Sequence, residues 1–353
     1  MEQFILTSDI EETIAQLGEN VSKFEGKTVL LSGGCGFLGK YFTEVFRHMN
    51  EKVLSQRCRL IVIDNFITAD QGCALGENSE TFQFIEHDIT KPIEIDGQVD
   101  FVIHAAGIAS PHYYRAHPLE TLDVGITGTR NMLEIAKEHH ARFLFFSSSE
   151  IYGDPDPTLV PTSEAYRGNV SCQGPRACYD ESKRVGETLC YIYHELFGVS
   201  TNIVRPFNVY GPGMKENDFR VLSNFGHRIK AQKPLKIYGT GGQTRTFCYV
   251  TDALNGFLRT LLLGIPGETY NIGNPEPEIS MLDLAEATQK VVKEKVEYKV
   301  IGYPDDYPGD EPKRRCPDIR KARVHLAYDP SVALSDGLKR FYDWALKTYT
   351  GKL

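Results

Sequence analysis

The stretch KTVLLSGGCGFLGKYF, Lys27 to Phe42, constrains the fold of this chain more than any other. Lys27 to Leu31 is a short apolar run and reads as a buried strand. Lys40 to Met49 has helical spacing. Between them Gly33, Gly36 and Gly39 form G-x-x-G-x-x-G, a spacing that lets the backbone turn sharply from strand into helix. A strand running straight into a helix is the first half of a βαβ crossover. Such crossovers are right-handed and lay their strands parallel.

Further apolar runs follow at intervals suited to that plan: Arg59 to Ile63, Phe82 to Ile85, Phe101 to His104, Arg142 to Phe146 and Ser200 to Val204. Helical segments separate them, among them Leu119 to His139 and a helix from Tyr179 to about Phe197. Alternation of this kind predicts an α/β fold, a doubly wound parallel sheet. Residues 1–207 are expected to form this sheet domain. A short amphipathic helix over Ile10 to Leu17 is expected ahead of its first strand. Residues 208–353 are richer in Pro and Gly and less regular. They are expected to form a smaller α/β substrate-binding domain, with part of 245–275 rejoining the sheet. Leu235 to Tyr238 and Glu268 to Ile272 read as strands there; Leu282 to Lys293 and Ala333 to Lys347 read as helices.

The formal net charge of -8 argues against nucleic acid or an anionic membrane as partner. Eight cysteines are scattered with no C-x-x-C pair and no Cys/His cluster, so a reduced, metal-free, cytoplasmic protein is expected. The amino terminus carries acids and lacks the pattern of a secretion signal. No run of about 18 apolar residues suggests a membrane span.

Side chains suited to ligand chemistry collect at strand ends, where a doubly wound sheet binds ligands. The glycine turn, with Phe37 and Leu38 opening the helix, suits a pyrophosphate on backbone N–H groups. Asp64, beside Asn65, ends the second strand. A carboxylate there can accept both ribose hydroxyls and would repel a 2′-phosphate, which favours NAD over NADP. Asp88 and Ile89 follow the third strand on the adenine side, where a plain turn explains Asp88 equally well. Ala105 and Ala106 are small enough for a cofactor to lie against their backbone. Ser148 ends the fifth strand. Tyr179 and Lys183 stand one helical turn apart in YDESK. An ammonium beside a phenol favours the phenolate, so Tyr179 is expected to act as base. Cys178, next in sequence, is expected only to pack.

With these residues in place, the chain resembles the extended short-chain dehydrogenase/reductase family, whose sheet is of Rossmann type. The resemblance lies in its nucleotide-sugar branch. It is carried by SGGCGFLG, HAAG, SSSEIYGDP, YDESK, RPFNVYGPG, QTRTFCYVTDA and YNIGNP, in that order. Within the branch, SEIYGDP, GPRACYDESKRVGET, FRVLSNF and RRCPDIRKA are most similar to the UDP-glucuronate decarboxylases. The resemblance implies oxidation at sugar C4, loss of the C6 carboxylate β to the new ketone, and re-reduction to UDP-xylose or a stop at the 4-keto pentose. It implies Ser148, Tyr179 and Lys183 as the redox triad. Glu150 would assist the sugar, and Arg315 would hold the carboxylate or supply a proton at C5. Tyr114, Ser149, Asn208, Arg220, Tyr238 and Arg245 would contact the nucleotide sugar. A homodimer through two helices per subunit is implied as well.

A 4,6-dehydratase typically carries Asp-Glu where this chain has Ser149-Glu150. A 4-epimerase or dehydratase acting on another sugar remains the alternative reading, and an NAD-binding sensor a third. Two departures stand out. Gly125 in VGITGT replaces the usual asparagine and implies a rearranged site or an irregular helix. Residues Pro157 to Val160 lengthen the loop before Tyr179.

Overall fold

The computed structural model describes residues 5–69, 75–303 and 312–352; Cys73 lies outside them. Seven parallel strands make the central sheet: β1 (Thr28–Ser32), β2 (Arg59–Asp64), β3 (Phe82–Glu86), β4 (Phe101–His104), β5 (Arg142–Phe146), β6 (Thr201–Pro206) and β7 (Thr269–Ile272). Their spatial order is β7-β6-β5-β4-β1-β2-β3. The order reverses between β1 and β4, and that switch opens a crevice at the strand carboxyl ends.

Both faces of the sheet are buried, as the continuous apolar runs require. Val29, Leu31, Leu60, Val62, Ile103, Leu144 and Phe146 point into one core. Leu30, Ile61, Ile63, Val102, Phe143 and Phe145 point into the other. Period-two alternation thus sends neighbouring side chains to opposite layers of helices. The helix expected before β1 spans Thr7–Leu17 and packs its Ile10, Ile14 and Leu17 into the first core.

After β6 the chain leaves the sheet and later returns. Leu235–Tyr238 pairs with Tyr298–Ile301 in a separate parallel ladder. Thr244–Arg245 pairs with both Arg314–Arg315 and Ile279–Ser280. Helix Val250–Leu263 is buried almost throughout, and β7 then adds beside β6.

One expectation fails in detail. Leu119 to His139 is not a single helix: Pro118–Asp123 and Thr129–Glu138 are α-helical, and Val124–Gly128 between them is a π-turn. The cause is Gly125. A Cβ there would lie 2.5 Å from Ser182 Cβ and 2.9 Å from the Ser182 carbonyl oxygen. The backbone at 125 therefore presses directly on the helix Ala177–Phe197 that carries Tyr179 and Lys183. Of the two readings of this departure, the irregular helix is the one found.

Candidate active site

The glycine turn is built by contact. A Cβ on Gly39 would sit 2.1 Å from the Gly33 carbonyl, and one on Gly33, at φ 80°, would sit 2.7 Å from Ala106 Cα. Side chains at either position would force β1 away from its own helix and from β4. Gly36 differs: within 4 Å its Cβ would meet only the Gly33 carbonyl, so that side is open. Helix Phe37–Lys52 starts there without a capping side chain. Its first N–H groups, on Phe37, Leu38 and Gly39, have no partner inside the helix and suit a diphosphate. Asp64 accepts from the Cys35 and Phe66 N–H groups, each at 2.8 Å, so the carboxylate is fixed over the loop. The Asn65 side chain accepts from the Ile67 N–H and the Asp88 side chain from the Thr90 N–H and hydroxyl, as local turns do. Ile89 is buried, with its side chain against Gly128.

Ser148, Tyr179 and Lys183 converge where β5 ends. Tyr179 is buried beside Ser148, which pulls its pKa down, and Ser148 Oγ accepts the Glu150 N–H at 3.2 Å. Tyr114 stacks on Tyr179 with ring centroids 5.3 Å apart and planes at 14°. The same segment takes a weak bond from Cys178 Sγ to the Tyr114 carbonyl at 3.6 Å. Lys183 Nζ donates to the Phe146 carbonyl at 2.8 Å and lies 5.7 Å from the Tyr179 ring centroid. A Cβ on Gly107 would come within 2.9 Å of that Nζ, so the HAAG turn is small because the ammonium fills the space beside it.

Electrostatics here correct the simplest expectation. Burial pushes the Tyr179 phenol above its usual pKa, and it outweighs the lowering by Ser148, Arg220 and Arg176. Lys183 is itself held down at about 8 by burial. Without ligands Tyr179 is thus a phenol rather than a phenolate. His104 is also buried, pushed down to about 3 first by desolvation and then by Lys183. It is a neutral strut between the Ser32 and Thr129 hydroxyls, at 2.8 and 3.0 Å.

Beside this triad, β5 runs into the turn Ser149–Tyr152 with Ser149 buried. Glu150 meets Arg315 through both guanidinium nitrogens; the Nη2 contact is 2.8 Å. Arg176 grips the same carboxylate from the other side. Asp180 then faces Arg176 at 3.9 Å. Its carboxyl is raised to about 6 by burial, against the pull of Arg176 and Arg315. Its Oδ1 is sealed from solvent without a donor. Glu150, Arg176 and Asp180 line a cavity of about 410 Å³.

The model of the NAD dependent epimerase/dehydratase family matches residues 29–273, well over half of the chain. The chain belongs to this family. A UDP-glucuronic acid decarboxylase 1 of Xenopus tropicalis is 38% identical over 349 residues, 94% of this chain and 79% of that protein. UDP-glucuronic acid decarboxylase 5 of Arabidopsis thaliana is 40% identical over 312 residues, 88% of this chain and 86% of that protein. Among solved structures, the UDP-glucuronic acid 4-epimerase of Bacillus cereus, in complex with UDP-glucuronic acid and NAD, is 28% identical with a TM-score of 0.73. It covers 91% of this chain, and all of its own chain is matched. NAD is the cofactor of this family, and the uncapped turn, the fixed Asp64 and the small Ala105-Ala106 edge fit a dinucleotide.

For a member of the epimerase/dehydratase family, the remaining expected residues fall into two groups. Arg220 lies near the Tyr179 phenol and is clamped by Asp218, with one contact at 2.6 Å. Arg245 is buried and in register with Arg315, so both side chains leave the same face of that small sheet. Tyr238 stacks on Tyr303 and lines a separate cavity of about 240 Å³ with Asn224, Arg228 and Lys236. Asn208 is less suited to its expected role. Its amide nitrogen donates to the Thr246 carbonyl at 2.8 Å, and its backbone, at φ 42°, takes the Cys248 N–H.

Arg176 and Asp180 lie in GPRACYDESKRVGET, a motif that assigns them no role. Helical spacing from Tyr179 could have raised them, because positions 176, 179, 180 and 183 share one face. The lengthened loop is also placed. Thr162 donates to the Cys316 carbonyl and accepts from Asp318, which docks the loop on the segment that brings Arg315 in. Among the described residues no cluster of His, Cys, Asp or Glu could hold a metal, and no helix is long and apolar enough to cross a membrane.

Proposed function

We propose that this chain is an NAD-dependent UDP-glucuronate decarboxylase that yields UDP-xylose or its 4-keto precursor. The observation that carries the reading is Glu150 gripped by Arg315, a residue 165 positions on, next to the Ser148–Tyr179 pair. A dehydratase acid–base pair would need an aspartate at Ser149. Here the site instead offers two guanidiniums, Arg315 and Arg176, around one carboxylate. Such an arrangement can admit a second carboxylate by sharing or exchange.

NAD, held by the residues of the glycine turn and Asp64, would supply the hydride acceptor for C4 and a positive ring in the site. Tyr179 takes the proton of the C4 hydroxyl, with Ser148 hydrogen-bonded to the same oxygen. Lys183 and Arg220, with the positive ring, would favour the Tyr179 phenolate, the form that can take this proton, and the phenol that results is neutral. The C6 carboxylate is now β to a ketone, so its C5–C6 bond breaks and the electron pair moves into an enolate as CO2 leaves. Arg315 would orient the departing carboxylate, and Glu150 would hold the ring. The enolate then takes one proton at C5. Gly33, Gly36, Phe37, Leu38, Gly39, Asp64, Ala105 and Ala106 would hold NAD. Tyr114, Ser149, Arg220, Tyr238 and Arg245 would hold the UDP-sugar.

Three further readings go with it. Residues 1–207 with part of 245–275 form the cofactor domain, and the rest forms the substrate domain. Exposed Tyr191, Leu196 and Phe197 on the Tyr179 helix, with Leu119 nearby in the fold, support a homodimer through helices. The free thiols of Cys58, Cys172, Cys178, Cys190, Cys248 and Cys316 support a reducing compartment such as the cytoplasm. Mass spectrometry after incubation with UDP-glucuronate and NAD tests the activity. A UDP-pentose supports it; an isomer of unchanged mass selects an epimerase.

A further inference from the structure

Phe219 adopts φ 64°, ψ -2°, the left-handed region. For a bulky residue this is a genuine outlier, and such outliers persist where the surroundings over-determine them, often at ligand clamps. Its neighbours do so here. The Asp218 carbonyl accepts from Ser110 Oγ at 2.8 Å, and the Asp218 carboxylate is locked to Arg220. The ring is therefore presented at a pinned tip. It rests on His112, centroids 4.9 Å apart at 34°, yet Phe219 remains 51% exposed. An apolar ring held at a strained backbone and left half in water is unfavourable twice over unless something covers it.

The ring also walls the 240 Å³ cavity, together with Tyr238, Asn224, Arg228, Lys236, His227 and Glu216. That volume is small beside the roughly 300–1,000 Å³ of a site for a whole drug-sized ligand, so it suits one end of a nucleotide sugar. Two aromatic faces, an amide able to read donor and acceptor edges, and two cations match a base with phosphate beyond it.

We propose that Phe219 is a substrate-binding residue whose ring stacks on the uracil of the bound UDP-sugar. The proposal rests on the UDP-sugar reading given above. Ser110 and His112 belong to the segment that also carries Tyr114, so the same contacts tie the base-binding wall to the wall behind Tyr179.

Calorimetric titration of the full chain with UDP, on wild type and on Phe219→Ala, Phe219→Gly and Phe219→Tyr, tests it. Base–aromatic stacking predicts about tenfold weaker UDP binding in both Phe219→Ala and Phe219→Gly, and binding within about twofold of wild type in Phe219→Tyr. The KM for the UDP-sugar should rise by the same factor in the first two, with kcat little changed. Phe219→Gly should melt above Phe219→Ala, since both lose the ring but only glycine releases the backbone. Unchanged UDP affinity in Phe219→Ala overturns the proposal, as does equal melting of the Ala and Gly variants. Wild-type protein that fails to bind UDP at all overturns the UDP-sugar reading itself, and this assignment with it.

Discussion

Lys183→Met should make the ligand-free protein more stable while nearly abolishing turnover. Burial lowers the lysine from 10.5 to about 8. At about 1.36 kcal/mol per unit, keeping the ammonium charged in the fold costs on the order of 3 kcal/mol at neutral pH. The sign follows from proton binding. Between pH 8 and 10.5 the unfolded chain holds this proton and the native protein does not, so stability rises with pH across that window and the full cost is present below it. Methionine fills a similar volume without the charge. Against this stands the Phe146 carbonyl, whose 2.8 Å donor is lost, at a cost of about 1–3 kcal/mol. The expected net effect is a gain of up to about 2 kcal/mol by urea unfolding at pH 7, shrinking as pH rises and turning into a loss towards pH 10. Turnover of UDP-glucuronate should fall by about 10²–10⁴, because the phenol, already raised by burial, loses the ammonium 5.7 Å from its ring centroid. A variant that is less stable at pH 7, or that keeps a tenth of wild-type turnover, would refute both the desolvation argument and the role given to the ammonium.

Asp9 is fully buried and raised from 3.8 to about 6, mainly by desolvation and despite bonds from Tyr249 and Tyr41. The native state binds this proton more tightly, so stability is lost as pH rises from about 4 to 6. Asp9→Asn should remove on the order of 2–3 kcal/mol of that decline, seen as a Tm advantage that grows from pH 4 to pH 7. Gly125→Asn must displace the Ser182 backbone, so unfolding should come at least about 2 kcal/mol earlier, with activity lost in proportion to misplacement of Lys183. Glu150→Gln leaves Arg315 and Arg176 without their shared carboxylate. A fall of about 2–4 kcal/mol in stability is expected by urea unfolding, and stability equal to wild type would contradict the ion-pair assignment.

Much of the fold was legible because its signals are local. Phe101–His104 and Arg142–Phe146 are found at the residues where their apolar runs place them, and the glycine turn lies between β1 and its helix. Gly125 in the sequence left an irregular helix as one of two readings, and what decides for it, contact with Ser182 far along the chain, is not encoded locally. The same holds for the site. Strand-end and helix-spacing logic brings Ser148, Tyr179 and Lys183 together within a short span of sequence. Arg315 reaches Glu150 only through the pairing of Thr244–Arg245 with Arg314–Arg315 and the docking of Thr162, and no local pattern encodes that. The upward shift of Tyr179 is hidden from the sequence for a similar reason. Proximity of an ammonium is visible in Y-x-x-x-K, whereas the depth of burial is a property of the assembled core.

One measurement bears on the central claim most directly: carbon NMR of UDP-glucuronate labelled at C6, followed in real time with the purified protein and NAD. A site that pairs C4 oxidation by Tyr179 with a carboxylate held at Arg315 should move the label into carbon dioxide and bicarbonate, leaving an unlabelled UDP-pentose. A label that stays on the sugar while the C4 configuration scrambles would contradict it.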